Sequence, residues 1–433
     1  MKTTQKILSL TMLAGVVILS SCGKKKGCTD PSASNFDADA TVYDGSCEYL
    51  NSRTFVITNK TVNGTTVSQI EGTINEDFTM SASKDWMLSG GVFVGPGATL
   101  TIEPCTKVYA ADDGTTPFLS IKQGGKIMAE GTSSCPIIFT PIKANPAPGD
   151  WGGIIVNGYA RINNGATAEG EGGTGTYGGT DDADNSGVLK YVRVEYAGKI
   201  LGTDNELNGF SFNGCGSGTK LEYLQAYRGS DDGFEFFGGT VSLRYAVSSG
   251  NHDDSFDWTH GWRGNGQFWI VQQNSDGGDR GIEADNNGDD NSLTPYSEPT
   301  LSNLTFLGVD DGDGENTGMR LREGTKGKIY NAIVANFPKN GIRVSDSITT
   351  VNMNAGSLLV KSSISYNNGT AWKDCAPFST DPTNSTANPS LTGYVGTVSA
   401  NATDPTTLGS WFLPGTYIGA AQTDWTAGWT KGL

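Results

Sequence analysis

The sequence predicts an all-β protein built as a right-handed parallel β-helix with terminal caps, and three observations carry that expectation. The first is composition. The chain has 60 glycines in 433 residues, with 36% hydrophobic and 18% charged side chains, roughly twice the usual glycine share. Glycine at this density penalises helices, while 17 Phe, 15 Tyr and 9 Trp are enough to fill a core and argue against disorder. The second is texture: from residue 86 onward short β-rich runs alternate with Gly, Asp and Asn turns, and no helical period is sustained. The third is recurrence. One segment returns as Asn208-Gly209-Phe210-Ser211-Phe212, Asp232-Gly233-Phe234-Glu235-Phe236, Asp254-Ser255-Phe256-Asp257-Trp258, Arg280-Gly281-Ile282-Glu283-Ala284, Thr317-Gly318-Met319-Arg320-Leu321 and Asn340-Gly341-Ile342-Arg343-Val344, in steps of 24, 22, 26, 37 and 23 residues. A second strand precedes each copy. No such unit buries its apolar side alone, and stacking supplies the missing wall.

Taken in order, residues 1–21 read as a secretory leader, with Lys2 and Lys6 before an apolar stretch too short to span a bilayer. The leader ends in Leu19-Ser20-Ser21-Cys22-Gly23, which resembles a bacterial lipoprotein box. The resemblance implies cleavage before Cys22, acylation of that cysteine (diacylglycerol and an amide-linked chain such as palmitate) and an outer-membrane anchor. The expected location is the cell surface, with the periplasmic face as the alternative. Residues 22–50 hold Cys28 and Cys47 within a stretch that is similar to a GCTDP…DGSC module of Bacteroidetes surface and secreted proteins. So short a chain builds no core, so a Cys28–Cys47 disulfide would hold its shape. Asp30, Asp37, Asp39 and Asp44 either close on Ca²⁺ or belong to a stapled polar spacer.

Residues 51–90 are expected to cap the N-terminal end, 91–375 to form the β-helix, and 376–433 to supply a last coil and an aromatic cap containing Trp411, Trp425 and Trp429. Strand alternation places Phe210, Phe234, Phe256, Ile282, Met319 and Ile342 in one inward column and Phe212, Phe236, Trp258, Ala284, Leu321 and Val344 in another. The long step contains residues 285–299, expected to leave one corner as a loop. Cys105 and Cys135 lie about one coil apart and are expected to pair; Cys215 and Cys375 remain over. Leu100-Thr101-Ile102-Glu103-Pro104, Gly149-Asp150-Trp151-Gly152-Gly153, Asp231-Asp232-Gly233-Phe234-Glu235 and the closing Trp425–Trp429 stretch resemble a family of secreted or lipidated β-helix proteins of Bacteroidetes and some marine proteobacteria. That resemblance implies fold and compartment, not an activity.

The residue between the inward columns must face out: Ser211, Glu235, Asp257, Glu283, Arg320 and Arg343. Adjacent coils lie about 4.8 Å apart, so like charges would repel unless a cation or an arginine neutralises them. Hard oxygen ligands suit Ca²⁺, and the candidate ligands are Asp232, Glu235, Asp254, Asp257 and Glu283, with Asp311 and Asp313 in a separate Asp-rich turn. Asp231 and Asp253 add charge at the preceding corner. No catalytic residue is assigned; the candidates are Glu235, Asp257 and Glu283 as acid and base, or Arg320 as a base beside calcium. Trp262 and Tyr296 are either sugar-stacking platforms or buried, and the Asp-rich turns at 180–185 and 285–291 offer further oxygens. Two histidines, His252 and His260, exclude a histidine-built metal cluster. A net charge of -16 argues against nucleic acid as partner. The expected function is a membrane-anchored, non-enzymatic binding or scaffold protein for polysaccharide or an envelope protein. The alternatives are a calcium-assisted polysaccharide lyase or glycoside hydrolase, and an accessory subunit of an outer-membrane β-barrel.

Overall fold

The computed structural model describes residues 24–31, 35–47, 54–203, 205–310, 312 and 316–433; the leader, Cys22, Asp311 and Asp313 lie outside them. The chain divides into two units, residues 1–52 and 53–433. In the first, Lys26–Gly27 pairs in parallel with Val42–Tyr43 and a Cys28–Cys47 disulfide closes the loop. Lys25 reaches Asp37 at 2.8 Å and Asp39 at 3.5 Å, and Asp44 accepts from the Ser46 amide. Asp37, Asp39 and Asp44 are thus engaged within the module.

The second unit is a parallel β-helix. It opens with an antiparallel hairpin, Thr54–Val62 with Thr65–Ile74. Every further pairing in the 25-stranded sheet is parallel, starting with Thr65–Ile74 on Asp85–Val94. Coiling therefore begins inside the segment expected to be a cap. The covering role falls to the hairpin's outer strand, where Phe55 meets Phe78, and Phe78 meets Trp86, edge to face.

The recurrent segments stack in the register their spacing implies. Phe210, Phe234, Phe256, Ile282, Met319 and Ile342 follow one another, as do Phe212, Phe236, Trp258, Ala284, Leu321 and Val344, and each is at most 1% exposed. Phe210, Phe234 and Phe256 stack with centroids 5.1 and 5.0 Å apart. The glycine before each inward column has a steric reason. A Cβ on Gly209, Gly281 or Gly318 would sit 2.5–2.6 Å from the carbonyl oxygen of the next coil. The second strand of each coil bends at one residue with positive φ: Tyr191, Tyr223, Tyr245, Phe268, Asn303 and Asn331. Its two halves form separate ladders on either side of the bend.

At the far end, Thr370–Lys373 is the last strand of the charged face, and the short helices Ser347–Asn354 and Ala376–Ser379 bury Met353 and Phe378 against the core. Cys105 and Cys135 form a disulfide. Cys215 and Cys375 are free and buried: the first sulfur lies 3.2 Å from the Val156 carbonyl, the second 3.6 Å from that of Ile342, in different coils. Among the described residues no helix is long and apolar enough to cross a membrane.

The aromatic tail does not close the end. Residues 403–431 run back along the flank. Thr403 is bound at Asn331, Leu413 at Gln267, and Lys431 at Gln225. The reason lies beneath it: Val247, Ile270, Thr305, Ile333 and Ile364 share one register and point outward, four of the five apolar and Thr305 accepting from the Ala420 amide at 2.8 Å. Such an apolar column needs a cover.

Candidate functional site

The outward column of the recurrent strand runs Ser211, Glu235, Asp257, Glu283, Arg320, Arg343, Lys373, each paired in register with the next. It begins in apolar or neutral residues, Phe93, Ser120 and Ile155, turns acidic for three coils and stays basic to the last strand. The insertion between Gly158 and Asn208 walls off the early part: Ser120 Oγ donates to the Thr174 carbonyl at 2.6 Å, and Ser120, Ile155 and Ser211 are buried. Beyond it Glu235, Asp257, Arg320 and Arg343 are part-exposed, Glu283 is buried and Lys373 is exposed.

At the corner before each strand a second acidic row adds to the first. Asp231, Asp232, Asp253, Asp254 and Asp279 sit in the turns, the Asp254 amide donating to Asp232 Oδ1 at 2.9 Å. Among the described residues four triads place three carboxylate oxygens within 4.8 Å of one another: Asp231/Asp232/Asp253, Asp232/Glu235/Asp257, Asp253/Asp254/Asp279 and Asp254/Asp257/Glu283. The structure thus gathers Asp232, Glu235, Asp254, Asp257 and Glu283 as expected. It adds Asp231, Asp253 and Asp279 as equal members.

Charge is balanced on one side of this cluster only. Arg280 approaches Asp254 at 3.2 Å, Asp279 at 2.9 Å and Glu283 at 3.0 Å. Arg322 pairs with Glu283 and, at 2.8 Å, with Asp285, while Arg320 lies 3.5 Å from Glu283. Among the described residues no ion pair reaches Asp231, Asp232, Glu235, Asp253 or Asp257. Asp254, 3% exposed, keeps its Oδ1 without a hydrogen-bond partner, and so does Asp257. Unpaired buried carboxylates are costly as anions, and the protonation behaviour follows. Burial, then Asp253, Glu206 and Glu171, push Asp231 up to about 8. Burial followed by neighbouring carboxylates pushes Asp232, Glu235 and Asp257 well above the carboxylate range. Glu171, contributed by the walling insertion, is raised to about 7 by burial and Glu206. A divalent cation would remove this repulsion, and the all-oxygen donor set fits Ca²⁺.

The basic end forms a depression of about 350 Å³ lined by Asp279, Arg280, Thr317, Arg320, Lys339 and Arg343. The Nε atoms of Arg320 and Arg343 are buried and without hydrogen-bond partners. Burial first, then Arg280 and Arg322, hold the Arg320 guanidinium below its usual pKa. An anion seated here would meet guanidinium donors beside the acidic cluster.

Other expected contributors lie elsewhere. Trp262 is fully buried, its ring 4.2 Å from that of Phe236. The ring of Tyr296 is covered by the Lys326 ammonium at 3.5 Å, so neither offers an open platform to a sugar. His260 lies in a turn with Nδ1 3.3 Å from the Tyr177 hydroxyl and is pushed down to about 4 by burial; His252 packs its ring on Gly277. In the Asp-rich turn at 180–185, Asp182 binds Arg161 and Arg263, while Asp181 accepts from the Ala183 amide and Asp184 from Ser186 Oγ. In the 285–291 turn Asp285 binds Arg322, and Asp290 accepts from Ser292.

Arg280 was findable in the sequence, because it occupies the repeat position of Asp232 and Asp254. Glu171 carries no such signal, since an insertion outside the repeat delivers it. A family model, described as a pectate-lyase-like β-helix domain, matches residues 72–430. Searches of curated proteins and of solved structures return no match.

Proposed function

The chain belongs to the pectate-lyase-like β-helix family, and on that premise we propose that it is a calcium-assisted binding protein for an anionic polysaccharide. The observation that carries the proposal is the junction on one column: Glu235 and Asp257 without cation partners, then Glu283 paired to arginines, then Arg320 and Arg343 with unpartnered Nε atoms. Asp231, Asp232, Asp253, Asp254, Asp257 and Glu235 would hold the cation. Arg320, Arg343 and Lys339 would hold a carboxylate or sulfate of the glycan. The lipoprotein box at Cys22 would tether the unit to the outer membrane, which incorporation of labelled palmitate by wild type and by Cys22→Ser tests.

One observation favours a second reading, a lyase. An arginine held below its usual pKa by burial, beside an acidic cluster, is a candidate to take a proton from a sugar carbon activated by its own carboxylate. That group is Arg320. One experiment separates the two readings. The protein is incubated with acidic and neutral polysaccharides, in calcium and in chelator, while retention and the ultraviolet absorbance of unsaturated uronates are followed. Calcium-dependent retention without new absorbance supports the binder. Absorbance abolished by Arg320→Lys supports the lyase. Neither signal on any acidic glycan refutes both.

A further inference from the structure

The flank opposite the question of charge carries a different kind of recognition. Three buried side-chain amides each grip one residue of the tail through its main chain, in a two-bond ring. Gln225 donates to the Lys431 carbonyl at 2.7 Å and accepts from its amide at 2.9 Å. Gln267 does the same to Leu413 at 2.9 and 2.9 Å, and Asn331 to Thr403 at 2.8 and 2.9 Å. Asn303 adds bonds to the carbonyls of Gly415 and Tyr417 at 2.9 and 2.7 Å. All four amides are fully buried. Such rings read backbone and not side chains, because every non-proline residue offers the same N–H and C=O pair.

Between the amides lies an aromatic ladder. Tyr191, Tyr223, Tyr245 and Phe268 stack with centroids 4.3, 4.3 and 4.8 Å apart. Trp429 meets Tyr191 and Tyr223 edge-on, and Trp425 meets Tyr245 edge-on at 5.1 Å. These are large apolar contacts on a surface the solenoid has already built. The strands under the tail, Lys220–Tyr227, Ser242–Ser249, Asn265–Gln272 and Thr300–Leu307, have ladder partners in the coils on both sides. The tail itself adds only one short antiparallel pair, Gly396–Val398 with Ile418–Ala421. Its removal breaks no parallel ladder.

From this we infer that the flank is a peptide-recognition groove, with the chain's own residues 403–431 as its ligand, and that this tail opens as a unit separate from the coils. Local opening of a segment held by discrete contacts, while the ladders persist, is the expected hierarchy of a solenoid. The ligand class is a largely irregular polypeptide with two tryptophans four residues apart across a turn, bound by its main chain and anchored by its rings.

The test uses the full chain with a protease site placed in the exposed stretch at 386–388, cut after folding. The expected result is that the cut tail co-migrates with the solenoid and exchanges for a fluorescent synthetic peptide of residues 399–433. The far-ultraviolet circular dichroism should stay unchanged throughout. Gln225→Leu with Gln267→Leu should speed release about tenfold or more, and Trp429→Ala should do so without touching an amide. A peptide with Trp425 and Trp429 replaced by alanine should compete at least tenfold less well. Loss of the tail on cutting with no rebinding overturns the inference. So does release only together with loss of the β signal, or a release rate that both variants leave unchanged.

Discussion

Two outward columns of the same solenoid meet opposite ends. On the flank, Val247, Ile270, Ile333 and Ile364 point out of the coil and are buried, because the tail lies over them. On the charged face, Glu235, Asp257, Arg320 and Arg343 point out of the coil part-exposed, and Glu283 is buried among arginines. A stacked column must be compensated at every step of about 4.8 Å. The flank is compensated by the chain itself: each amide and each ring has its partner. The face is compensated at Glu283 and Asp285 and left uncompensated at Asp231, Asp232, Glu235 and Asp257. Unpartnered buried atoms occur elsewhere too, Arg244 Nε on the flank among them, but only on the face do several carboxylates crowd together without a cation, which is why it is the surface proposed to bind.

The sharpest way to break this comparison is to neutralise the face. Calcium added at a hundred times its dissociation constant should stabilise the fold by about 2.7 kcal/mol, read as a rise in Tm of about 3 °C for a unit of this size. Glu235→Gln with Asp257→Asn should abolish that rise. In chelator the same double variant should melt above wild type, because the amides are neutral without the proton uptake that burial demands of the two carboxyls. Equal melting of wild type with calcium and with chelator would make the face a solvated ridge.

Acidity gives a second, smaller contrast. Asp231 is raised to about 8 and Glu171 to about 7, above the ordinary range near 4 that both have when unfolded. The folded state therefore holds more protons than the unfolded state between those limits, and stability falls as pH rises through that window. In chelator, Tm should decline from about pH 4.5 to pH 8; calcium should flatten the decline. A profile rising over that range in chelator would contradict the crowding.

How much of this could be read from the residues differs between the two columns. The charged face was legible because its members sit at one position of a repeat: the inward phenylalanines fix the register, and the residue between them has one place to go. The corner row was legible only in part. Asp231 and Asp253 precede the repeat where turn geometry, not alternation, decides direction, and Asp279 follows a different turn sequence. The flank was misread. Trp425 and Trp429 carry no information on where they dock, because their partners Tyr191, Tyr223 and Tyr245 lie roughly two hundred residues earlier and pair through tertiary packing. Their aromatic character announced a cover, and the outward valines and isoleucines needed one. For Trp262 the residues left both a platform and burial open, and the ring of Phe236, 4.2 Å away, decides for burial.

Glycan recognition sharpens the comparison next. Arg320→Ala with Arg343→Ala should weaken binding of an acidic polysaccharide by about 10- to 100-fold, which is about 1.4 to 2.8 kcal/mol. The calcium-dependent rise in Tm should persist, since these side chains bind the anion and not the cation. Surface plasmon resonance on immobilised glycan, with melting in parallel, reads both. Unchanged affinity would move the anion seat away from the depression.

The smallest effect is the one that asks whether face and flank are separate at all. Tyr245→Ala removes a ring that stacks on Tyr223 and Phe268 and meets Trp425 edge-on. Each such pair is worth roughly 1 kcal/mol beyond its buried area, so the variant should melt a few degrees lower. Asp257 stands on a different strand, on a surface the tail does not cover. Sites without shared partners add to within about 0.5 kcal/mol. Combining Tyr245→Ala with Glu235→Gln and Asp257→Asn should therefore sum, and Tyr245→Ala alone should leave the calcium response intact. The two columns do share one set of coils, and a larger coupling would mean that the clasp on the flank and the cation on the face tighten the same stack. In that case occupancy of one groove would alter affinity in the other, and by reciprocity calcium would slow the release of the tail.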